Sequence, residues 1–410
     1  MPTDPPSDKS ERPKPSRFLL INLLCAIGFG LVAMTICLPS MPEWQGFFEA
    51  EQASVQLTFS SYIIAYGVAQ VIYGPLSDRY GRKRLMLLGF FITALGSLAC
   101  AAATSLPALT LGRFVQGVGA AAGMVLGRAM VQDYFTGGDR ARMMAYIGMV
   151  MGMCAPIATV VGGQLHVLAN WRANFVLITA LSVTLFLTTW MSLPPDETSG
   201  KGRAHWLREM FNAYDHLRKV PEFVAYVGVL SLSTGTFYIY LAGAPSVFAL
   251  YGIGPASIGF FIMVVPLSYI AGSFLTSRLI KSHSDPHLML AGQLVSLGGI
   301  AIVLVLALAD VASPLAIAAP LVLLGIGQGL LMPSTLAGTV SVVPALAGAA
   351  AGVAGLAQQM SGAVGGYAIG LFHHEDAVKL AMLMLLFMSC AFGCQIWLRA
   401  LQKKLPRRTS

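Results

Sequence analysis

Charge is the scarcest property of this chain. Aspartate, glutamate, lysine and arginine make up 11% of its 410 residues, against about 25% in an ordinary soluble protein. So little charge excludes a soluble domain with a solvated surface. Acidic groups are scarcest, 18 against 26 lysines and arginines. They all fall in tails, loops or the ends of apolar runs, those nearest an apolar interior being Asp78, Asp133, Glu222 and Asp310. The cysteines, at 25, 37, 100, 154, 390 and 394, all lie inside apolar runs. They show neither zinc spacing nor the setting of a disulfide framework. Cys390 and Cys394 share a helix face and read as small core residues. There is no P-loop, no nucleophile constellation and no His/carboxylate cluster, so neither an enzyme nor a bound cofactor or metal is expected. His166, His373 and His374 fall at the ends of apolar runs, where solvation is expected. No small-residue cleavage site follows the first apolar run, so no removed leader is expected. The polar, Pro-rich first 17 residues read as a disordered tail.

What remains is apolar. Hydrophobic residues make up 56% of the chain, with a mean hydropathy of +0.71. A bilayer takes about 20 apolar residues per helix, so about 240 would serve twelve spans. Candidate spans lie near 18–39, 55–74, 85–104, 107–131, 143–165, 173–193, 222–250, 256–277, 287–309, 314–341, 349–372 and 377–398. Many contain Pro or Gly, which membrane helices tolerate. The expected fold class is an all-α membrane protein of twelve transmembrane helices in two pseudo-symmetric six-helix bundles.

Charge placement supplies a second line of argument. With the N-terminus inside and each span crossing once, the inner side holds nearly all the basic residues, including Lys9, Arg12, Arg79, Arg82, Lys83, Arg84, Arg140, Arg142, Arg278, Arg399 and Lys403. The outer side holds Arg172 and Lys379, and Arg113 and Arg128 lie within the fourth span. That asymmetry is the positive-inside pattern. The formal net charge of +8 therefore reports orientation, and nucleic acid is not an expected partner. Both termini are expected on the cytoplasmic side.

The longest polar segment, Pro194–Pro221, divides six spans from six. Trp206, Leu207, Met210, Phe211, Tyr214 and Leu217 are spaced as one helical face within it. Their basic flanks predict a helix lying on the inner membrane surface. A solvated linker is the other reading. The expected organisation is a tail at 1–17, a bundle at 18–193, the linker at 194–221, a second bundle at 222–398 and a basic tail at 399–410.

Four motifs carry the functional expectation. Gly74–Arg84 reads G-P-L-S-D-R-Y-G-R-K-R. Gly74 and Gly81 would permit a tight turn. Asp78 would cap a helix or pair with an arginine. Arg79 and Arg82 would hold the loop at the headgroups. This stretch resembles the G-x-L-a-D-r-x-G-r-k signature of the major facilitator superfamily. The resemblance implies a loop between helices 2 and 3 that latches the two halves in one state. A weaker echo stands at Gly272–Lys281. Leu111–Ala121 resembles the family's R-x-x-q-G-x-g-a-a motif. Arg113, Gln116, Met124 and Arg128 fall on one face of that span, which would line a central cavity or brace neighbouring carbonyls. Arg128 has a rival role as partner of Asp78.

Met151–Gly163 resembles the Gly/Pro-rich helix of the family's drug–proton antiporters, with Gly152, Pro156, Gly162 and Gly163 carrying the pattern. Ile36–Pro42, Val55–Thr58, Tyr73–Arg82, Gly127–Asp133, Asn170–Phe175 and Ala347–Gly352 together resemble the Bcr/CflA drug exporters. That subgroup usually has an Asp where this chain has Thr35, so Asp133 and Arg113 become the candidates for proton coupling. The resemblance implies export of small amphiphilic molecules, with protons as the counter-substrate, by a monomer embedded in lipid. The expected cavity residues are Thr35, Tyr62, Tyr66, Arg113, Gln116, Met124, Phe237, Tyr238, Tyr240 and Gln328. A carrier of a specific metabolite is the alternative, and a membrane enzyme or receptor the third reading.

Overall fold

The computed structural model describes residues 17–135, 137–193, 206–280, 282, 284–372 and 376–404. The N-terminal tail, most of the linker's first half, His373 and His374 therefore lie outside the described residues. The first bundle is formed by α1 (Arg17–Thr35), the short α2 (Met41–Phe48), α3 (Gln52–Tyr80), α4 (Arg82–Ala102), α5 (Leu106–Tyr134), α6 (Gly137–Leu168) and α7 (Arg172–Ser192). A linker helix α8 (Trp206–Arg218) follows. The second bundle is formed by α9 (Pro221–Leu250), α10 (Pro255–Ile262), α11 (Val264–Leu279), α12 (Asp285–Leu308), α13 (Pro314–Ser341), α14 (Ala347–Gly370) and α15 (Ala377–Lys404).

Among the described residues, 11 spans are long and apolar enough to cross a membrane, counting α1–α2 and α10–α11 as one span each. The twelfth is α14. Its 24 residues reach about 36 Å at 1.5 Å per residue. Glycine, serine and two glutamines make it less apolar than the others, as suits a helix packed between α3 and α9. Helices dominate because lipid offers no partner to backbone groups, and a helix satisfies its own.

Proline sets the breaks. Pro39 and Pro42 supply no N–H to the turn behind them, and the first span tightens into a 3-10 turn at Leu38–Ser40 before α2 resumes. Pro266 would leave the Ile262 carbonyl without its helical donor. The chain breaks at Met263 between α10 and α11, and the buried Tyr240 hydroxyl donates to the Phe261 and Ile262 carbonyls at 3.1 and 3.4 Å. A side chain from a neighbouring helix thus replaces the bond that proline removed.

In the first bundle α5 packs on α1, α3 and α4; in the second α13 packs on α11 and α12, and α9 on α14 and α15. The bundles meet along α3–α14 and along α6 with α10 and α11. This seam is tight at the end away from the basic loops, the far end. There Gln52 Nε2 donates to Ser246 Oγ at 2.9 Å, Gln56 Nε2 to the Ala242 carbonyl at 2.8 Å, and Ser60 Oγ to the Ala363 carbonyl at 2.9 Å. Further along, α3 still touches α14 where Gly67 meets Gln359 and Gln70 meets Gly355. Gly152 meets Ile270 on the other flank. Toward the basic end, a Cβ added at Gly74, Gly148 or Gly348 would meet open space. The bundles are sealed at the far end and part toward the basic end.

The linker helix docks on the second bundle. Leu217 is buried with Phe223 and Ala350, against Val342, Val343 and Leu346. Asp215 pairs with Arg218 at 2.6 Å and with Lys219. Hydrogen bonds from Lys219 and Arg218 hold its carboxyl below the usual carboxylate range.

Candidate functional site

The hairpin between α3 and α4 differs from expectation in one respect. Gly74 is no turn residue, since α3 runs on to Tyr80 with Pro75 inside it. The whole reversal falls on Gly81 at φ 95°, a conformation that suits glycine because it lacks a Cβ. Asp78 stands exposed in the last turn of α3 and makes no cap, as Gly81 is the N-cap of α4. Arg79 lies over the Tyr80 ring. Arg82 pairs with Asp133 at the end of α5, and Lys83 donates to the Trp190 carbonyl at 2.7 Å. The expected Arg128–Asp78 pair does not form. Arg128 bonds to Met151 on α6 instead.

Arg113 is fully buried. Nη1 donates to the Ala33 carbonyl at 2.8 Å and to Gln116 Oε1 at 2.5 Å, and Nη2 donates to the Met34 carbonyl at 3.1 Å. The guanidinium lies 4.3 Å from the Tyr62 ring centroid. These carbonyls are available because α1 stops at Thr35, whose hydroxyl turns back to Leu31 O at 2.9 Å. Of the two readings of this arginine, the bracing of carbonyls describes the geometry. Gln116 Nε2 continues the network to Ser97 Oγ on α4 at 2.8 Å, inside the bundle and away from the seam.

Met124 and Arg128, farther along α5, have a different setting. Tyr66 Oη donates to Met124 Sδ at 3.0 Å, and Gln70 Nε2 approaches the same sulfur at 3.5 Å. Arg128 Nη2 donates to Met151 Sδ at 3.0 Å. Gln70, Met124, Arg128 and Met151 are each partly exposed, and Gln70 borders the second bundle at Gly355. Tyr66 stacks on Tyr62, 5.8 Å between centroids. From the other bundle Tyr238 donates to Gln359 Oε1 at 2.9 Å and meets Phe59 edge-on at 6.3 Å. Phe237 is half-buried beside it. Tyr66, Met124, Phe237 and Tyr238 therefore gather around the inter-bundle cleft. Tyr62 belongs to its wall, donating to the Gly30 carbonyl at 2.7 Å.

Besides Arg113 and Gln116, three further expected cavity residues lie elsewhere. Tyr240 serves the α10–α11 break, and Gln328 Nε2 donates to the Ser233 carbonyl at 3.0 Å inside the second bundle. Thr35 is buried at the end of α1. Asp133 is half-exposed at the basic end with Arg82. Sequence reasoning missed Gln70 and Met151. The i, i+4 spacing of Gln70 from Tyr66 was the available signal, for it puts a polar side chain on the Tyr66 face.

The glycines of α6 close the far end. A Cβ at Gly162 would stand 1.8 Å from the Ile36 carbonyl oxygen, and one at Gly163 2.2 Å from that of Pro255. Backbones of three spans approach there as only glycine permits. Pro156 lies inside α6, and Gly152 faces Ile270. His166, expected to be solvated, instead accepts or donates at Ser40 Oγ, 2.8 Å, and pairs with Glu43 at 2.9 Å with little exposure. A groove of about 790 Å³ at the same end, lined by Phe47, Glu49, Ser54, Leu57, Leu111 and Phe114, opens on the flank of α3 and α5. It lies apart from the cleft.

Two membrane bundles sealed at one end and parted at the other, around a cleft lined by aromatic, thioether and amide groups, have the architecture of the secondary transporters. The chain belongs to the Major Facilitator Superfamily, whose model matches residues 19–366. An uncharacterized transporter of that type from Bacillus subtilis is 28% identical over 262 residues, 63% of this chain and 65% of its own length. A bicyclomycin resistance protein homolog from Haemophilus influenzae is 31% identical over 248 residues, 59% of this chain and 61% of its own length. The match thus spans somewhat under two thirds of each relative. Among solved structures, a bacterial homolog of the human lysosomal transporter Spinster, inward-facing and unoccupied, superimposes with a TM-score of 0.77 over 96% of this chain and 98% of its own, at 14% identity.

Proposed function

We propose that the protein exports small amphiphilic molecules across the bacterial inner membrane in exchange for protons, with both termini in the cytoplasm. The observation that carries this reading is the cleft itself, closed at the far end by Gly162 and Gly163 and parted at the basic end. The positive-inside pattern makes the basic end cytoplasmic, so the state described is inward-facing and ready to load from the cytoplasm. The relative's link to bicyclomycin resistance supports a drug-like substrate. A large, flexible lining of methionine and aromatic groups suits unrelated amphiphiles.

Of the two proton-coupling candidates, Asp133 is half-exposed on the cytoplasmic side in this state and can exchange a proton with water there. Arg113 holds the end of α1 in place through the Ala33 and Met34 carbonyls. The Asp78 hairpin is released in this state and engages the other bundle when the basic end closes.

The test is transport by the purified full chain in proteoliposomes with and without an imposed pH gradient. Accumulation of a drug that rises with the gradient and collapses with an uncoupler is expected. Transport indifferent to the gradient would remove proton exchange from the reading, and no transport of any amphiphile would remove export.

A further inference from the structure

Three hydrogen-bond donors in the cleft are spent on sulfur. Tyr66 Oη and Gln70 Nε2 address Met124 Sδ, and Arg128 Nη2 addresses Met151 Sδ. A thioether is a weak acceptor, so each donor holds much of its capacity in reserve. The three stand together. Tyr66 and Gln70 are one turn apart on α3 and address the same sulfur, and Met124 and Arg128 are one turn apart on α5.

The charge balance is as one-sided as the hydrogen bonding. Among the described residues no carboxylate pairs with Arg128. The acidic residue next along α5, Asp133, is engaged by Arg82. The spans facing this point, α1, α3, α6 and α14, bring Cys154, Gln359 and Met360 rather than acids. Arg113 likewise has no carboxylate partner, but both its terminal nitrogens already meet oxygen, from two carbonyls and Gln116, and Nε alone is left without one. An arginine that is partly exposed, desolvated on one side and without an anion lacks the partner that makes such burial favourable.

We propose that Arg128, Tyr66 and Gln70 form an acceptor-binding subsite, and that the transported amphiphiles are those bearing a carboxylate or a comparable oxyanion beside an apolar body. This rests on the transporter reading above and names its substrate class. The oxyanion displaces the two methionine sulfurs as acceptor, taking a charge-assisted bond from Arg128 and neutral ones from Tyr66 and Gln70. The freed thioethers, with Phe237 and Tyr238 across the cleft, pack on the apolar body. A cationic amphiphile meets an uncompensated guanidinium at low dielectric and is excluded.

The probes are a matched set: 2-naphthoate, 2-naphthamide and 2-naphthylmethylammonium. Binding is measured by calorimetry on the detergent-purified full chain, and transport is followed separately in proteoliposomes. The expected order is naphthoate over naphthamide, with the ammonium compound undetected. Arg128→Gln should lower naphthoate affinity about tenfold or more, the scale of one hydrogen bond to a charge, and leave naphthamide nearly unchanged. Arg128→Lys should retain the preference, because a point charge suffices, and shows that the fold survives at this position. Tyr66→Phe should weaken naphthoate and naphthamide alike. Ammonium binding equal to naphthoate, failure to bind any probe, or an unchanged naphthoate-to-naphthamide ratio in Arg128→Gln would overturn the subsite. Preferential binding without transport would leave the subsite standing and count against export alone.

Discussion

Arg113 and Arg128 sit on the same helix of the same bundle, and the two surroundings could hardly differ more. Arg113 is fully buried and surrounded by oxygen, its guanidinium against two α1 carbonyls and Gln116 with the Tyr62 ring beneath. Arg128 is partly exposed and meets a methionine sulfur. The first charge is part of the architecture; the second faces the cleft with capacity to spare. An arginine within a membrane span is thus informative only once its acceptors are known, since either setting satisfies the rule that such a charge faces protein or water.

The sharpest way to break this contrast is Arg113→Ala. It strips the donor from two carbonyls at the end of α1 and leaves Gln116 Oε1 without its partner. Each bond to a charged donor contributes roughly 1.5–3 kcal/mol, so thermal unfolding in detergent should move down by several degrees and transport of every substrate should fall together. A variant with unchanged melting and a selective loss of one substrate would place Arg113 in the cleft instead. Conservative exchange then separates the two sites. Arg113→Lys should behave much like the alanine variant, because an ammonium cannot span two carbonyls and Gln116 in the fork geometry of a guanidinium. Arg128→Lys should melt like the parent.

How much of this was legible beforehand divides along the same line. The spans, the basic hairpin and a helix within the linker follow from local composition, whereas the closure at Gly162 and Gly163 shows only once their neighbours are placed. The side-chain partners depend on where other helices stop. Nothing near Leu111 announces that α1 ends at Thr35 and offers its carbonyls to Arg113. The face shared by Arg113, Gln116, Met124 and Arg128 is real, yet α5 meets α4 and α1 at one level and the cleft at another. One stripe therefore serves two purposes. Tyr240 and Gln328 were misplaced for the same reason, since each satisfies a backbone carbonyl on a neighbouring helix. His166 was misplaced because Ser40 and Glu43 reach it only through the proline break after Thr35.

Asp78 tests a charge that matters in a state other than the one described. It is exposed here, so Asp78→Asn should leave the melting temperature of the protein in this state unchanged. Transport should slow several-fold, because the closed basic end loses an interaction that the open one lacks, and only such differential contacts shift a conformational balance. Equal losses of stability and rate would show that Asp78 acts within its own bundle.

The smallest effect belongs to Asp215 on α8. Its carboxylate pairs with Lys219 and Arg218 and is held below the usual carboxylate range by their hydrogen bonds. A depressed carboxyl stabilises the folded state above its unfolded-state value, and that contribution fades as pH falls through the folded one. The loss is therefore confined to acid, below the ordinary range of an aspartate, and is absent at neutral pH. Both partners are mostly exposed on one surface helix, where ion pairs of this spacing are weak and screened by salt. Asp215→Asn should leave transport and melting at neutral pH unchanged within error, since the docking of α8 rests on Leu217 against Phe223 and Ala350. Leu217→Ala should produce the larger shift. If the asparagine variant proved the more damaging of the two, the linker would be held by charge and not by its apolar face.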